Sequence, residues 1–251
     1  METPEEVALA EDNYLAAWRL LARSASGGTV VETDDLLFTC SALPVQYFNS
    51  AFVKPDVDPA GCIAIVKAFF ADRHTPFTLR FRNDERFHPD DALESAGLVL
   101  AGSSPLMVAP TGDIEEVGDW SIRLVDEGSW HDHVETIANG FGIPLDLAES
   151  LIPATLAASG EYAGFIAHLD GIAVSTATLV VSDGVAGVYN VATPQAYRGR
   201  GFGGATTRAA VAEGLQRGCT YTTLQASEMG YPLYAEMGYR TVTEWRNFTG
   251  A

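Results

Sequence analysis

Apolar residues recur at helical spacing from the start of the chain. Val7, Ala10, Tyr14, Trp18 and Leu21 form one stripe, which Ser26-Gly27-Gly28 ends. Thr3-Pro4-Glu5-Glu6 ahead of it has the makings of a capping box: Thr3 as cap, Pro4 at the first helical position, Glu6 reaching back. Residues 30–40 read as extended, with a turn at Thr33-Asp34-Asp35. Residues 59–70 read as an amphipathic helix, with Cys62, Ile63, Val66, Phe69 and Phe70 on its apolar side. In residues 76–81 Phe77, Leu79 and Phe81 alternate, the pattern of a half-buried strand. A short helix over 90–96 stops at Gly97, and residues 98–108 are extended, broken by Gly102-Ser103-Ser104-Pro105.

The polar interval at residues 110–119 is the best linker in the chain, and the pattern starts afresh behind it. Residues 120–125 predict a strand, 129–139 a helix capped by Ser129, and 145–158 a second helix interrupted by proline. Three strands follow at 162–169, 172–181 and 187–193, joined by turns at Asp170-Gly171 and Ser182-Asp183-Gly184. Residues 198–218 are loop plus helix, 221–227 a strand, 232–237 a short helix and 239–248 a final strand. The order βααβββαβαβ implies an α/β protein, a mixed sheet with helices on both faces.

Composition narrows the task. Lys and Arg number 15 against 33 Asp and Glu, a formal charge of −18. Such a surface repels phosphate backbones, which argues against nucleic acid or an anionic membrane as partner and favours cationic small molecules. No run of about 18 apolar residues could span a bilayer. Glu5, Glu6, Glu11 and Asp12 fall where a secretory leader needs apolar residues, and Cys40, Cys62 and Cys219 are odd in number and far apart. Buried free thiols in a cytoplasmic protein are the expectation.

One window departs from the acidic background. Residues 184–212 contain no Asp or Glu but hold Arg198, Arg200 and Arg208. Within it, Arg198-Gly199-Arg200-Gly201-Phe202-Gly203-Gly204 lets successive backbone N–H groups turn toward an anion without Cβ obstruction. The helix that follows adds the positive end of its dipole, so strand, glycine loop and helix start together suit a pyrophosphate. A Walker loop is excluded, because the only lysines are Lys54 and Lys67. Gly199, Gly201 and Gly204 also satisfy G-x-G-x-x-G, with Glu228 where a ribose-binding acid would lie. Against a dinucleotide fold, Pro194-Gln195-Ala196-Tyr197 separates strand from loop, and the 23 residues after Glu228 are too few for its remaining units.

Arg198-x-x-Gly201-x-Gly203, after a strand ending Val191-Ala192-Thr193, resembles the acetyl-CoA signature of the GNAT superfamily of N-acetyltransferases. Ser227 followed by Leu233-Tyr234-Ala235-Glu236-Met237-Gly238-Tyr239 resembles that family's second signature, with Ser227 where the family has Asn. The resemblance covers about residues 119–251 and implies a GNAT-like acyl-CoA N-acyltransferase fold. It implies that the backbone of Val191 and Thr193 pairs with the pantetheine arm and that the Val191 N–H polarises the thioester carbonyl. It further implies that Arg198, Gly199, Arg200, Gly201, Phe202 and Gly203 wrap the pyrophosphate, that Ser227 bonds the cofactor, and that Tyr234 protonates the departing CoA thiolate.

Residues 77–81 with Ala92-Leu93-Glu94-Ser95-Ala96-Gly97-Leu98 echo 221–227 with 233–239; Leu93 replaces the Tyr, and no glycine loop precedes the strand. This resembles tandem GNAT proteins with one degenerate domain, dividing the chain into a degenerate N-terminal domain at 1–110 and a catalytic domain at 119–251; an unrelated extension is the alternative. The implied activity is acetyl-CoA-dependent transfer to the amine of a small, cationic acceptor by direct attack in a ternary complex. Two other readings stay open: a CoA-binding sensor or structural protein without turnover, and a dinucleotide-dependent oxidoreductase. No metal is expected, since His131 and His133 at i, i+2 face apart on a helix. His131, His133, Glu161 and Tyr189 are weak candidates for the general base, the two histidines reading first as solvated helix residues. A homodimer is left open.

Overall fold

The computed structural model describes residues 3–114 and 121–250, so residues 115–119 of the expected linker and Trp120 lie outside the described residues. In chain order the elements are α1 (Pro4–Ser24), β1 (Thr29–Glu32), β2 (Leu36–Cys40), β3 (Asn49–Val53), α2 (Pro59–Ala71), β4 (Thr78–Arg82), α3 (Asp90–Ser95) and β5 (Leu98–Pro110). The second half supplies β6 (Ile122–Leu124), α4 (Trp130–Phe141), α5 (Leu145–Leu151), β7 (Tyr162–Leu169), β8 (Ile172–Ser182), β9 (Val185–Ala192), α6 (Phe202–Gln216), β10 (Tyr221–Gln225), α7 (Tyr231–Glu236) and β11 (Arg240–Gly250). No single helix among the described residues is long and apolar enough to cross a membrane.

Local chemistry explains most element ends. The capping box forms: the Thr3 N–H donates to Glu6 Oε2 (3.0 Å) and the Glu6 N–H to Thr3 Oγ1 (3.2 Å), while Arg240 holds the other carboxylate oxygen. Asp170-Gly171 and Asp183-Gly184 both take positive φ, the backbone a two-residue hairpin turn requires. Ser129 does not cap α4. Its hydroxyl donates to Asp126 Oδ1 (2.7 Å) and closes the preceding turn instead. The expected helix at 145–158 breaks at Pro153 into α5 and a 3₁₀ turn over Ala154–Ala158, because proline cannot supply the helical N–H.

The chain forms two compact units, and neither is a continuous stretch. One consists of Met1–Ala17 and Leu106–Val242, the other of Trp18–Pro105 and Thr243–Ala251. In the first, the strand order is β5-β10-β9-β8-β7-β6, with β9 and β10 parallel and the other pairs antiparallel. In the second it is β1-β2-β3-β4-β11, with β3 and β4 parallel. Both units repeat one plan: a hairpin, a helix, a parallel strand, a short helix, and a last antiparallel strand beside the parallel one. That last strand comes from the other half of the sequence. β5 pairs with β10, Val108 opposite Thr223, and β11 pairs with β4, Phe248 opposite Leu79. A cut within residues 110–119 separates sequence repeats but not these units, because the two closing strands are exchanged.

Each unit has its own core. Met107, Leu179, Val188, Val211, Leu224, Tyr234 and Tyr239 pack together in the first, and Phe38, Val66, Phe70, Leu79, Phe81, Leu93 and Phe248 in the second. β4 alternates as expected, but its other face is buried too. Arg80, 1% exposed, lies under the Trp18 and Tyr47 rings and donates to Ser50 Oγ (2.9 Å), Asn247 Oδ1 (2.7 Å) and the Tyr47 carbonyl (3.1 Å). Cys40, Cys62 and Cys219 are free and buried.

The Glu6 carboxyl is drawn from 4.5 to about 2 by the Thr3 N–H and then by Arg240. A carboxylate with a depressed folded pKa stabilises above its unfolded value, and that stability is lost as pH falls through the folded one. Glu6→Gln should therefore cost roughly 0.5–1 kcal/mol near neutral pH. Denaturation midpoints should show the gap to the parent closing between about pH 4.5 and about pH 2.

Candidate active site

The parallel pairing of β9 with β10 ends at Val188 and Leu224, although β9 runs on to Ala192. On its other side, β9 keeps Tyr189 opposite Thr178 and Ala192 opposite Thr176. Asn190 and Val191 thus stand against a single residue of β8, Ala177, which is a β-bulge. Asn190 takes φ +49°, left-handed backbone that asparagine tolerates better than most residues. Two strands part here, and the peptide groups of Asn190 and Val191 stand off both regular ladders.

Beyond the parting, a 3₁₀ turn at Gln195–Tyr197 leads into the glycine loop and α6. Gly201 is the N-cap at φ +85° and makes no side-chain cap hydrogen bond, so the positive end of the helix dipole lies at the glycine loop. Phe202, 3% exposed, packs on Ala167 and Val174; its ring anchors the first turn in the core, and its contribution to the loop is backbone. A Cβ on Gly203 would lie 3.4 Å from Thr193 Oγ1 and 3.7 Å from Val191 Cγ1, so the first turn of α6 rests on the end of β9. The equivalent helix of the other unit, α2, is closed: Asp58 accepts the Ala60 N–H at 3.0 Å.

Arg198 Nε donates to the Thr193 carbonyl and Nη2 to the Gly140 carbonyl, both at 2.9 Å. This guanidinium braces the loop's entry against the end of α4. Arg200 is exposed and lies over the Phe202 ring, 5.2 Å from its centroid. Ser227 Oγ accepts the Gly230 N–H (3.1 Å), which shapes the approach to α7 and still leaves the hydroxyl able to donate. Tyr234 is buried, and a Cβ on Gly230 would fall 2.9 Å from its ring, so glycine makes the space that ring fills. Burial pushes the Tyr234 phenol up to about 12, partly opposed by a hydrogen bond with Thr207 on α6.

The base candidates separate. His131 is exposed beside Glu149 (3.4 Å), and Glu161 is exposed ahead of β7. His133 is not a solvated helix residue: it is fully buried, with Nδ1 on Thr176 and Nε2 on the Tyr162 hydroxyl (2.6 Å), and burial lowers it to about 3. Trp130 beside it is core, its Nε1 donating to the Ile152 carbonyl (3.2 Å). Tyr189 donates to Asn13 Oδ1 (2.7 Å), and burial raises its phenol well above the usual range. Neither His133 nor Tyr189 is held as a base.

Asn13 was not foreseen. Its amide donates to the Val180 and Val185 carbonyls (3.2 and 3.1 Å) and to Ser182 Oγ (3.0 Å), fastening α1 to the β8–β9 hairpin. A Cβ on Gly187 would sit 1.9 Å from Asn13 Oδ1, so only glycine admits that amide. A lone Asn inside an amphipathic stripe carried no signal of this.

Residues 130–239 match the acetyltransferase (GNAT) family. No curated protein matches the chain significantly. The fold is shared with a GCN5-related N-acetyltransferase from Kribbella flavida at TM-score 0.71 and 19% identity, covering 96% of this chain and 95% of that one. It is also shared with a tandem GNAT protein from the clavulanic acid biosynthesis pathway, at TM-score 0.59 and 11% identity over 95% and 94%. A GCN5-related N-acetyltransferase from Sphaerobacter thermophilus gives TM-score 0.64 and 14% identity over 95% and 84%. The class is thus a mixed α/β GNAT fold, shared over nearly the full chain with a tandem GNAT protein. Residues 130–239 are a GNAT acetyltransferase domain, from a family that uses acetyl-CoA and acts on amines.

Proposed function

We propose that this chain transfers the acetyl group of acetyl-CoA to the amine of a small, cationic acceptor by direct attack in a ternary complex. The observation that carries the reading is the bulge at Asn190–Val191 beside an uncapped helix start at Gly201. An amide-rich arm can pair with peptide groups standing off the ladder, and a pyrophosphate can take the N–H groups of the loop. The acid-free window 184–212 supports an anion there, in a chain of formal charge −18. By contrast, α2 starts with its own carboxylate, which leaves no such role for the other unit.

Acetyl-CoA supplies an activated acyl group whose carbonyl gains negative charge as the amine attacks. The N–H of Val191 is the donor we assign to that oxygen, and the loop from Arg198 to Gly203 holds the phosphates through its backbone. Arg198 contributes by fixing Thr193, and Phe202 by anchoring the first turn of α6. The Ser227 hydroxyl can add one hydrogen bond to the cofactor. With its pKa near 12, Tyr234 keeps its proton throughout the neutral range and can donate to a thiolate as it departs. No side chain among the base candidates is held for deprotonation, so the acceptor loses its proton to water. CoA binding without turnover is the second reading, and thiol release with a broad set of amines separates the two.

Gly201→Val puts a β-branched residue at φ +85° where N–H groups must meet phosphate. Calorimetry should show acetyl-CoA bound at least about tenfold more weakly by the folded variant; unchanged affinity would remove the loop from the site. Tyr234→Phe deletes only the hydroxyl. It should lower kcat by about a hundredfold with acetyl-CoA affinity nearly unchanged, whereas a rate within about threefold of the parent would make Tyr234 a packing residue. Catalytic efficiency with the best acceptor should fall as salt rises, through screening of the acidic surface; a best acceptor that is anionic would overturn that part of the reading.

A further inference from the structure

We propose that His133 is a positioning residue for acetyl transfer: through Tyr162 and Thr178 it holds the Asn190 side chain, and with it the bulge that carries the Val191 N–H. The proposal rests on reading the parting of β9 and β10 as the acetyl-CoA site.

Every hydrogen along this buried chain can be assigned. Thr176 Oγ1 lies 2.8 Å from the Phe165 carbonyl, which can only accept, so the threonine's single hydrogen is committed there. Thr176 must therefore accept from His133 Nδ1. A neutral imidazole protonated at Nδ1 offers Nε2 as an acceptor, and the Tyr162 hydroxyl, 2.6 Å away, donates to it. Tyr162 then accepts from the Thr178 hydroxyl (2.9 Å), and Thr178 accepts from Asn190 Nδ2 (3.5 Å). All donors point one way, from Asn190 to the Phe165 carbonyl.

The path has a structural logic. Thr178 and Thr176 stand opposite Tyr189 and Ala192, the two residues between which β9 gains its extra residue. The His133–Tyr162 bridge therefore spans the interval where the backbone ladder is interrupted. The Trp130 ring covers it, with centroids 5.6 Å from His133 and 5.4 Å from Tyr162. A left-handed asparagine persists when its surroundings over-determine it, and this chain supplies that constraint from α4, β7 and β8. A protonated imidazole would reverse the Tyr162 bond and leave the Thr178 hydrogen without an acceptor. The chain begins at an amide donor, so it carries no proton from the substrate to His133, and its role is to place atoms.

The test compares His133→Leu, His133→Gln, Tyr162→Phe and Asn190→Gly, each assayed at a temperature where circular dichroism shows it folded. His133→Leu and Tyr162→Phe should lower kcat by about tenfold or more, and by more than acetyl-CoA affinity changes. His133→Gln, whose carbonyl can accept from Tyr162, should recover kcat to within about threefold of the parent. Asn190→Gly suits the backbone but cannot make the bond, and should lose kcat as the Leu variant does. Independently of turnover, ¹⁵N NMR should show His133 neutral and protonated at Nδ1. The Asn190 and Val191 amide resonances should move in His133→Leu and return in His133→Gln. Parental kcat in every folded variant, equal losses in the Leu and Gln variants, or an Nε2-protonated ring would overturn the proposal. A parent that binds no acetyl-CoA overturns the site reading instead, while the amide resonances still decide whether His133 holds the bulge.

Discussion

Beyond Val188 and Leu224 the strands β9 and β10 cease to pair, and a buried peptide group that loses its ladder partner must find another or remain a liability of about 1–3 kcal/mol. At this point β9 carries one extra residue opposite Ala177, Asn190 turns left-handed, and Asn190 and Val191 fall out of the register of both neighbouring strands. What surrounds the bulge follows from this constraint. Gly203 brings the first turn of α6 down on Val191 and Thr193, Arg198 ties Thr193 to the end of α4, and Tyr162 fills the space behind Thr178. The end of β9 is thus fixed from several sides at once.

The two units show what keeps such a site and what removes it. In each, a helix follows the first strand of a parallel pair, and a short helix follows the second. In one, the long helix starts at Gly201 with no capping side chain; in the other, Asp58 takes the Ala60 N–H and fills the anion's place with the chain's own charge. Leu93, on the short helix α3, is fully buried. The face of β4 away from the core is closed by Arg80 and its aromatic cover. The second unit has a packed core of its own, in which Phe38, Phe70, Leu79, Leu93 and Phe248 meet. The last strand of the N-terminal half nevertheless belongs to the first unit, because β5 pairs with β10.

Local signals in the sequence settled a good deal. The capping box of Thr3 and Glu6, the Asp-Gly hairpin turns, the glycine loop before α6 and the Leu233-Tyr234 run with its Gly238-Tyr239 end each depend on a few neighbouring residues. Each was readable because backbone dihedral preference and short-range hydrogen bonding decide it. The acetyltransferase fold was legible by resemblance, through Arg198-x-x-Gly201-x-Gly203 and the run from Leu233 to Tyr239. Other features required atoms distant in sequence. β3 was missed because Asn49 and Ser50 look like loop residues until their side chains are buried, Asn49 on the Leu43 and Val45 carbonyls and Ser50 beneath Arg80. Asn13 gains its role only from carbonyls 167 and 172 positions away, and the exchange of β5 and β11 leaves no mark on either strand. His133 reads as a polar residue on a surface helix; it becomes a buried ring bonded at both nitrogens only because Thr176 and Tyr162 converge on it from two strands. The sequence determined which short segments could turn, cap or cradle an anion, because those depend on near neighbours. Tertiary structure alone decided which polar groups are buried together, since burial and hydrogen-bond direction depend on every element that closes around them.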